Sequence, residues 1–201
     1  MTENLNLFVS VYIKLFFLLT PFFVLSAFLS MTKELDIPER RRLARRVALA
    51  VTVTGCILSV AGNAIFNVFG ITLDAFRIGA GALLFLSAVS LVRGTRVEPT
   101  QEADGDISVV PLAIPITIGP ATVGALLVIG ASVDTLGERL ISIGAFICAS
   151  LSVGLMLLTA NTIERVVGRL GLTILSKITG LILSALSAQI VFTGIRGMLD
   201  L

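Results

Sequence analysis

Two proline-containing segments, at corresponding places in the two halves of the chain, are best suited to binding chemistry. Pro21 follows Thr20, and Pro120 follows Gly119. A proline inside a helix removes one backbone hydrogen bond and strains the preceding turn, which leaves free polar backbone groups. Such groups and nearby hydroxyls can bind a polar solute or an ion, whereas a packing kink is the alternative for either proline alone. The predicted substrate-binding residues are Thr20, Pro21, Thr117, Gly119, Pro120, Thr122 and Asn63.

Three basic residues lie within or at the edges of apolar segments, and each has two interpretations. Lys14 lies about two helical turns before Pro21, where it either extends toward the membrane surface or meets a substrate carboxylate. Arg77 and Lys177 occupy similar places in the two halves. We expect them to anchor helix ends, with gating as the alternative role.

The composition excludes several other kinds of chemistry. Of 201 residues, 56% are apolar and 14% are charged, whereas a soluble domain carries about 25% charged residues. The chain has no His, and its acidic residues lie in loops, at termini or at helix ends. We therefore expect no enzyme, no metal and no cofactor, while coupling to Na+ or H+ stays open. A net charge of +2 with charges of both signs gives no basic face for nucleic acid.

Six apolar blocks must position these residues. A bilayer core about 30 Å thick is crossed by roughly 20 helical residues, and the blocks reach or approach that length. They lack the alternation of barrel strands. The sequence thus predicts an all-α membrane protein with six transmembrane helices, with helices 1 and 4 interrupted at proline; helix 4 also holds Pro111 and Pro115. The blocks are Leu5–Met31, Arg46–Phe69, Ala75–Val92, Val109–Val133, Leu140–Ala160 and Thr173–Met198.

The basic residues predict the orientation of these helices. Loops after the odd-numbered helices carry most of them, and such loops face the cytoplasm. We therefore expect an integral protein of the cytoplasmic (inner) membrane, with both termini outside and the lipid bilayer as its surroundings. The residues concerned are Lys33, Arg40, Arg41, Arg42, Arg45, Arg46, Arg93, Arg96, Arg165 and Arg169.

An internal repeat relates the two halves of the chain. The segment that begins Thr20-Pro21 resembles the one that begins Gly119-Pro120, and the third helix resembles the sixth. Because each half has three helices, the second half must be inverted relative to the first, as in many secondary transporters. We expect a first three-helix repeat over 1–93, a polar cytoplasmic linker over 94–107 and a second three-helix repeat over 108–201.

Several of these motifs together resemble the MarC family of membrane proteins. The resemblance rests on Ala113-Ile-Pro-Ile-Thr-Ile-Gly-Pro120, on Phe76-Arg-Ile-Gly-Ala-Gly81 and on the basic stretch after helix 1. It covers nearly the whole chain and implicates Thr20, Pro21, Gly119 and Pro120 in binding. Helix 1 departs from the family pattern of Asn-Pro and a small residue, because Phe22 and Phe23 follow Thr20-Pro21 here.

The resemblance also implies a function. The family is distantly similar to LysE-type amino acid exporters, and one branch is described as transporting glycine and alanine. We therefore expect a secondary transporter of small neutral amino acids, with its substrate bound mid-membrane at the broken helices 1 and 4. The alternative is a membrane scaffold or envelope-stress component that moves no solute. Substrate identity, direction and self-association into a homo-oligomer stay open.

Overall fold

The computed structural model describes residues 2–94, 112–113, 116–132 and 135–199. Within these ranges the chain forms helices joined by turns, without strands. Pro111, Pro115 and all of the predicted linker except Gly94 lie outside the described residues. The α-helices are α1 (Thr2–Leu18), α2 (Pro21–Met31), α3 (Ile37–Phe69), α4 (Leu73–Arg93), α5 (Pro120–Ala131), α6 (Leu136–Leu158) and α7 (Ala160–Met198).

The prediction of an all-helical membrane protein is confirmed in the described part of the chain. Five helical segments there are long and apolar enough to cross a membrane. The sixth predicted span contains α5, which has 12 residues and is too short to be counted by the same measure. The five segments are Asn4–Met31, Ile37–Gly62, Leu73–Arg93, Leu136–Leu158 and Ala160–Met198.

The basic segment after helix 1 is helical, which corrects our prediction that helix 2 begins at Arg46. Asp36 caps α3 by accepting a hydrogen bond from the backbone of Glu39, whose side chain accepts in turn from the backbone of Asp36. This reciprocal cap fixes the helix start upstream of the apolar block. The arginines between Arg40 and Arg46 therefore project from the first turns of α3.

The start of helix 6 needs a similar correction. We predicted it at Thr173. The helical run extends back to Ala160, but Gly168, with φ 71° and ψ 164°, is not helical, so the helix that holds the predicted span begins at Arg169, shortly before the predicted start. Glu164 and Arg169 form an ion pair of 2.9 Å across this kink. The segment before Gly168 thus continues from α6 with only a short turn at Thr159.

Helices of the first half pack mainly on helices of the second half. The longest contact joins α4 to α7, while α1 packs on α6, α2 on α7, and α3 on both α5 and α6. Small residues permit close approach: a Cβ at Gly81 would lie 3.1 Å from the carbonyl oxygen of Ser187, and one at Gly180 would lie 2.9 Å from that of Ala88. The halves therefore interlock and share one apolar core.

Contacts at the helix ends place the basic connections together. A guanidinium nitrogen of Arg40 donates to the side-chain oxygen of Asn161 over 2.8 Å, which joins the segments after helices 1 and 5. At the other end of the bundle, Arg77 donates to the hydroxyl of Ser132 over 2.8 Å. We call the end of the bundle that holds Arg40 and Asn161 the basic end.

Candidate functional site

The first helix break is a single residue in an unusual conformation. Thr20 has φ 47° and ψ 55°, the only positive φ among the described residues other than glycine. Its N–H donates to the carbonyl of Phe17 over 2.9 Å, which ends α1, and Pro21 begins α2. The Thr20 hydroxyl makes no capping hydrogen bond. A β-branched residue at positive φ is strained, so the surrounding packing must hold this break in place.

The second break lies between a short turn and α5. The N–H of Ile118 donates to the carbonyl of Ala113 over 2.9 Å, and the Thr117 hydroxyl donates to the carbonyl of Leu112 over 2.7 Å. Gly119 is then extended, with φ −80° and ψ 173°, and Pro120 is the first residue of α5. Thr117 is buried, and its hydroxyl supports the turn that leads to the break.

Both half-helices begin without a side-chain cap. Each starts with a proline, which has no N–H, so the next two N–H groups are the free donors of the first turn. These donors belong to Phe22 and Phe23 in α2, and to Ala121 and Thr122 in α5. Two helix N-termini thus offer N–H groups and partial positive charge to a polar or anionic group.

The two breaks meet at one cavity of about 300 Å³, which we call the break cavity. This volume lies at the lower end of the range for small-molecule sites. Its wall is mostly apolar, with hydroxyl groups from Thr20, Ser87, Ser90 and Thr122. No ionisable side chain is among the described residues that line it, which are Leu18, Thr20, Phe23, Leu84, Ser87, Ser90, Leu91, Ile116, Gly119, Pro120, Ala121, Thr122 and Leu183.

One side-chain contact joins the two interrupted helices directly. The Thr122 hydroxyl donates to the carbonyl oxygen of Leu18 over 3.4 Å. Leu18 is the last residue of α1, whose final carbonyl groups lack partners within the helix. The second break therefore supplies a donor to the first, at a length that marks the bond as weak.

Four of the seven predicted binding residues line the break cavity, namely Thr20, Gly119, Pro120 and Thr122. Pro21 is buried behind it and Thr117 supports the turn, so both act on the cavity indirectly. The side chain of Asn63 lies outside the described part of the structure. Its helix, α3, contributes no residue to the described lining.

The three basic residues lie away from the break cavity. Lys14 is exposed on α1. Arg77 pairs with Asp74 over 2.6 Å and holds the start of α4 to Ser132 at the end of α5, which fits an anchoring role. Lys177 is exposed on α7 near Gly94, at the opposite end of α4.

We did not predict the contribution of α4 to the cavity. Leu84, Ser87 and Leu91 follow each other at intervals of three and four residues, so they share one face of the helix, and Ser90 lies beside them. The sequence signal for this contribution was a pair of serines, Ser87 and Ser90, on one face of an apolar helix. Ser90 donates to the carbonyl of Leu86 over 3.1 Å. The ring of Phe23, which follows the first break, was also not predicted as a lining residue.

Comparison with known proteins agrees with the helical architecture. A family model described as "MarC family integral membrane protein" matches residues 5–199. A UPF0056 membrane protein of Methanocaldococcus jannaschii, MJ1677, is 32% identical over 98% of this chain and 99% of its own length. The UPF0056 membrane protein YhcE of Escherichia coli is 30% identical over 93% of this chain and 91% of its own. No solved structure gives a significant match.

Proposed function

Because the chain belongs to the MarC family of integral membrane proteins, we propose that it is a secondary transporter of small amino acids without net charge, of the glycine and alanine class. The observation that carries this proposal is the convergence of two uncapped, proline-initiated half-helices on one cavity. Discontinuous helices of this kind form the substrate sites of many secondary transporters.

The chemistry of the break cavity suits a zwitterion. Among the free N–H groups at the starts of α2 and α5, those of Phe23, Ala121 and Thr122 belong to residues that line the cavity, and they are donors for a carboxylate. The carbonyl end of α1 at Leu18 and the hydroxyls of Thr20 and Ser87 are acceptors for an ammonium group. Since no ionisable side chain lines the described wall, a solute of zero net charge is favoured over an ion.

The apolar part of the wall limits the size of the solute side chain. Leu84, Leu91, Ile116 and Leu183 surround a volume of about 300 Å³, into which the Phe23 ring also projects. A short apolar side chain fits such a wall, whereas a charged one would lose its hydration without gaining a partner. Glycine or alanine is therefore favoured over larger or charged amino acids.

Several structural pairs support an inverted repeat. The Thr52 hydroxyl lies 2.9 Å from that of Ser150, where α3 crosses α6. The side chain of Asp36 caps α3 by accepting a hydrogen bond from the backbone N–H of Glu39. In the same way, the side chain of Thr135 caps α6 by accepting one from the backbone N–H of Glu138.

One further pair consists of two glycines with positive φ, at α3 and α7. Gly70 ends α3 with φ 64°, and Gly168 interrupts α7 with φ 71°. Similar caps and turns at similar spacing in the two halves, with the contact between Thr52 and Ser150, support the proposed repeat. Such a repeat permits alternating access by rocking of one half against the other.

We extend the proposal to orientation and coupling. The basic end of the bundle, with its arginines on α3 and α7, faces the cytoplasm by the positive-inside rule, and both termini lie at the opposite end. The cavity oxygens are of the kind that bind Na+. No carboxylate is available in the described wall to carry a proton, so coupling to Na+ is favoured over coupling to H+.

Counterflow in proteoliposomes tests the proposal. Vesicles loaded with unlabelled glycine or alanine, with the labelled amino acid outside and no ion gradient, should accumulate label transiently. Gly119→Leu, which fills the break, should abolish the overshoot, while Gly137→Leu on exposed α6 should retain it. Absence of an overshoot with folded, inserted wild-type protein would overturn the proposal and favour a membrane scaffold.

A further inference from the structure

A second cavity of about 660 Å³ opens at the basic end of the bundle; we call it the basic-end cavity. Exposed residues at the ends of α2 and α4 and after the kink of α7 form its rim, namely Ser30, Lys33, Gly94, Arg169 and Thr173. Half-buried and buried residues, including Ser26, Ala27, Leu172 and Ser176, form its inner wall. The cavity therefore leads from solvent at the helix ends into the bundle.

The two cavities are neighbours along one path. Phe23 and Leu91 line both of them. Leu91 is buried and the Phe23 ring is half-buried, and the two cavities adjoin at these two side chains. Phe23 lies only three residues after Thr20, so its position depends directly on the break.

The charged groups of the basic-end cavity favour an anionic group. Its ionisable residues are Lys33, Arg169 and Glu164, which sum to one net positive charge. Arg169 uses its Nε to pair with Glu164 over 2.9 Å, and this leaves the other guanidinium nitrogens to meet a carboxylate. The Glu164 carboxylate is the counterpart for an ammonium group.

We propose that the basic-end cavity is the entry site for a carboxylate-bearing solute, and that Phe23 is the barrier between it and the break cavity. Naming the solute an amino acid rests on the proposed function. The path itself, its charge preference and the barrier rest on the two cavities and their shared residues. The path, its charge preference and the barrier can be tested by cysteine labelling, which needs no transport. A failure of these three can therefore be distinguished from a failure of the proposed function.

The charge preference is tested with single cysteines in a Cys56→Ala, Cys148→Ala background. Ser30→Cys, at the rim, is exposed to two membrane-impermeant methanethiosulfonates of similar size, one carrying a sulfonate and the other a trimethylammonium group. One unit charge within about 7 Å in water changes each rate roughly threefold. The two reagents have opposite charge, so one charge changes the ratio of their rates about ninefold. Lys33→Gln with Arg169→Gln should therefore lower the ratio of sulfonate to ammonium rates by about tenfold or more at low salt. An unchanged ratio would overturn the charge preference.

The barrier is tested at Ala121→Cys, a buried residue that lines the break cavity, with reagent added from the basic end. Phe23→Ala should accelerate modification about tenfold, and Phe23→Leu, which keeps an apolar side chain, should give a smaller increase. Phe22→Ala is the matched control, because Phe22 follows the same break but lines neither cavity. Equal rates with Phe23 intact and truncated would show that the path does not pass this ring and would overturn the proposal.

Discussion

The hydroxyl of Thr122, in the first turn of α5, lies 3.4 Å from the carbonyl oxygen of Leu18, the last residue of α1. Two helices that are far apart in the sequence thus meet at their interruptions. At this meeting point the carbonyl of Leu18 accepts a long bond from Thr122, and α5 begins with free N–H groups. A small zwitterion inserted between them could bond to both, which is the physical basis of the proposed site.

The weak contact at Thr122 gives the first prediction. Thr122→Val keeps the shape of the side chain but removes the hydroxyl that, in the proposed site, would bond the solute in place of its weak contact to Leu18, and one neutral hydrogen bond contributes about 1 kcal/mol. We expect the concentration for half-maximal uptake of glycine or alanine to rise about fivefold. Thr122→Ser, which keeps the hydroxyl, should stay near the wild-type value. Equal half-maximal concentrations for Thr122→Val and wild type would show that this hydroxyl does not contribute to binding.

The strained backbone at Thr20 gives the second prediction. A non-glycine residue at positive φ costs roughly 1–2 kcal/mol, and Asn tolerates this region better than a β-branched residue. Thr20→Asn and Thr20→Gly should therefore raise the stability of the detergent-solubilised protein, by about 1 kcal/mol, measured as resistance to denaturant. Thr20→Val retains the strain and serves as the control. Lower stability of Thr20→Asn than of Thr20→Val would contradict the assigned conformation.

Close helix packing at Gly130 gives the third prediction. A Cβ at this position would overlap the carbonyl oxygen of Ser59 on α3, and a backbone atom cannot turn away as a side chain can. Gly130→Ala should destabilise the protein by about 1–3 kcal/mol. Gly79→Ala, where nothing lies within 4 Å, should be neutral or stabilising because alanine favours helix. Reversal of this order in unfolding experiments would contradict the α3–α5 contact.

The contact between Thr52 and Ser150 gives the fourth prediction. With hydroxyl oxygens 2.9 Å apart, Thr52→Cys and Ser150→Cys should form a disulfide on mild oxidation in the membrane, in a background without the native cysteines. Val53→Cys with Ser150→Cys is the control, since Val53 is exposed on another face of α3. Cleavage of the chain between the two halves followed by electrophoresis reports the cross-link. Cross-linking of the control pair alone would contradict the crossing of α3 and α6.

Sequence patterns located the breaks well because proline and glycine impose local backbone geometry. Pro21 and Pro120 each begin a half-helix, and both breaks line one cavity. The contribution of Ser87 was harder to foresee, since serine in an apolar helix commonly bonds to its own backbone. The face that it shares with Leu84 depends on how α4 packs, which is a property of the folded chain.

Helix starts were misplaced for a related reason. Charge and hydropathy set the expected limits of the membrane segments, but capping sets the limits of the helices themselves. Asp36 and Glu39 start α3 before its arginines, and the same arrangement recurs at Thr135 and Glu138. The short motif of an acceptor followed three residues later by glutamate was visible in both halves and would have corrected the boundary of α3.

The most direct test of the central claim is whether a small amino acid occupies the break cavity. A single cysteine at Ser87→Cys, in the Cys56→Ala, Cys148→Ala background, is modified by a small thiol reagent with and without glycine or alanine. Thr162→Cys, on an exposed residue of α7 outside both cavities, is the control. We predict that saturating glycine or alanine slows modification at Ser87→Cys and leaves Thr162→Cys unchanged. Equal rates at Ser87→Cys with and without these solutes, or no reaction there at all, would contradict a hydrated solute site between the two breaks.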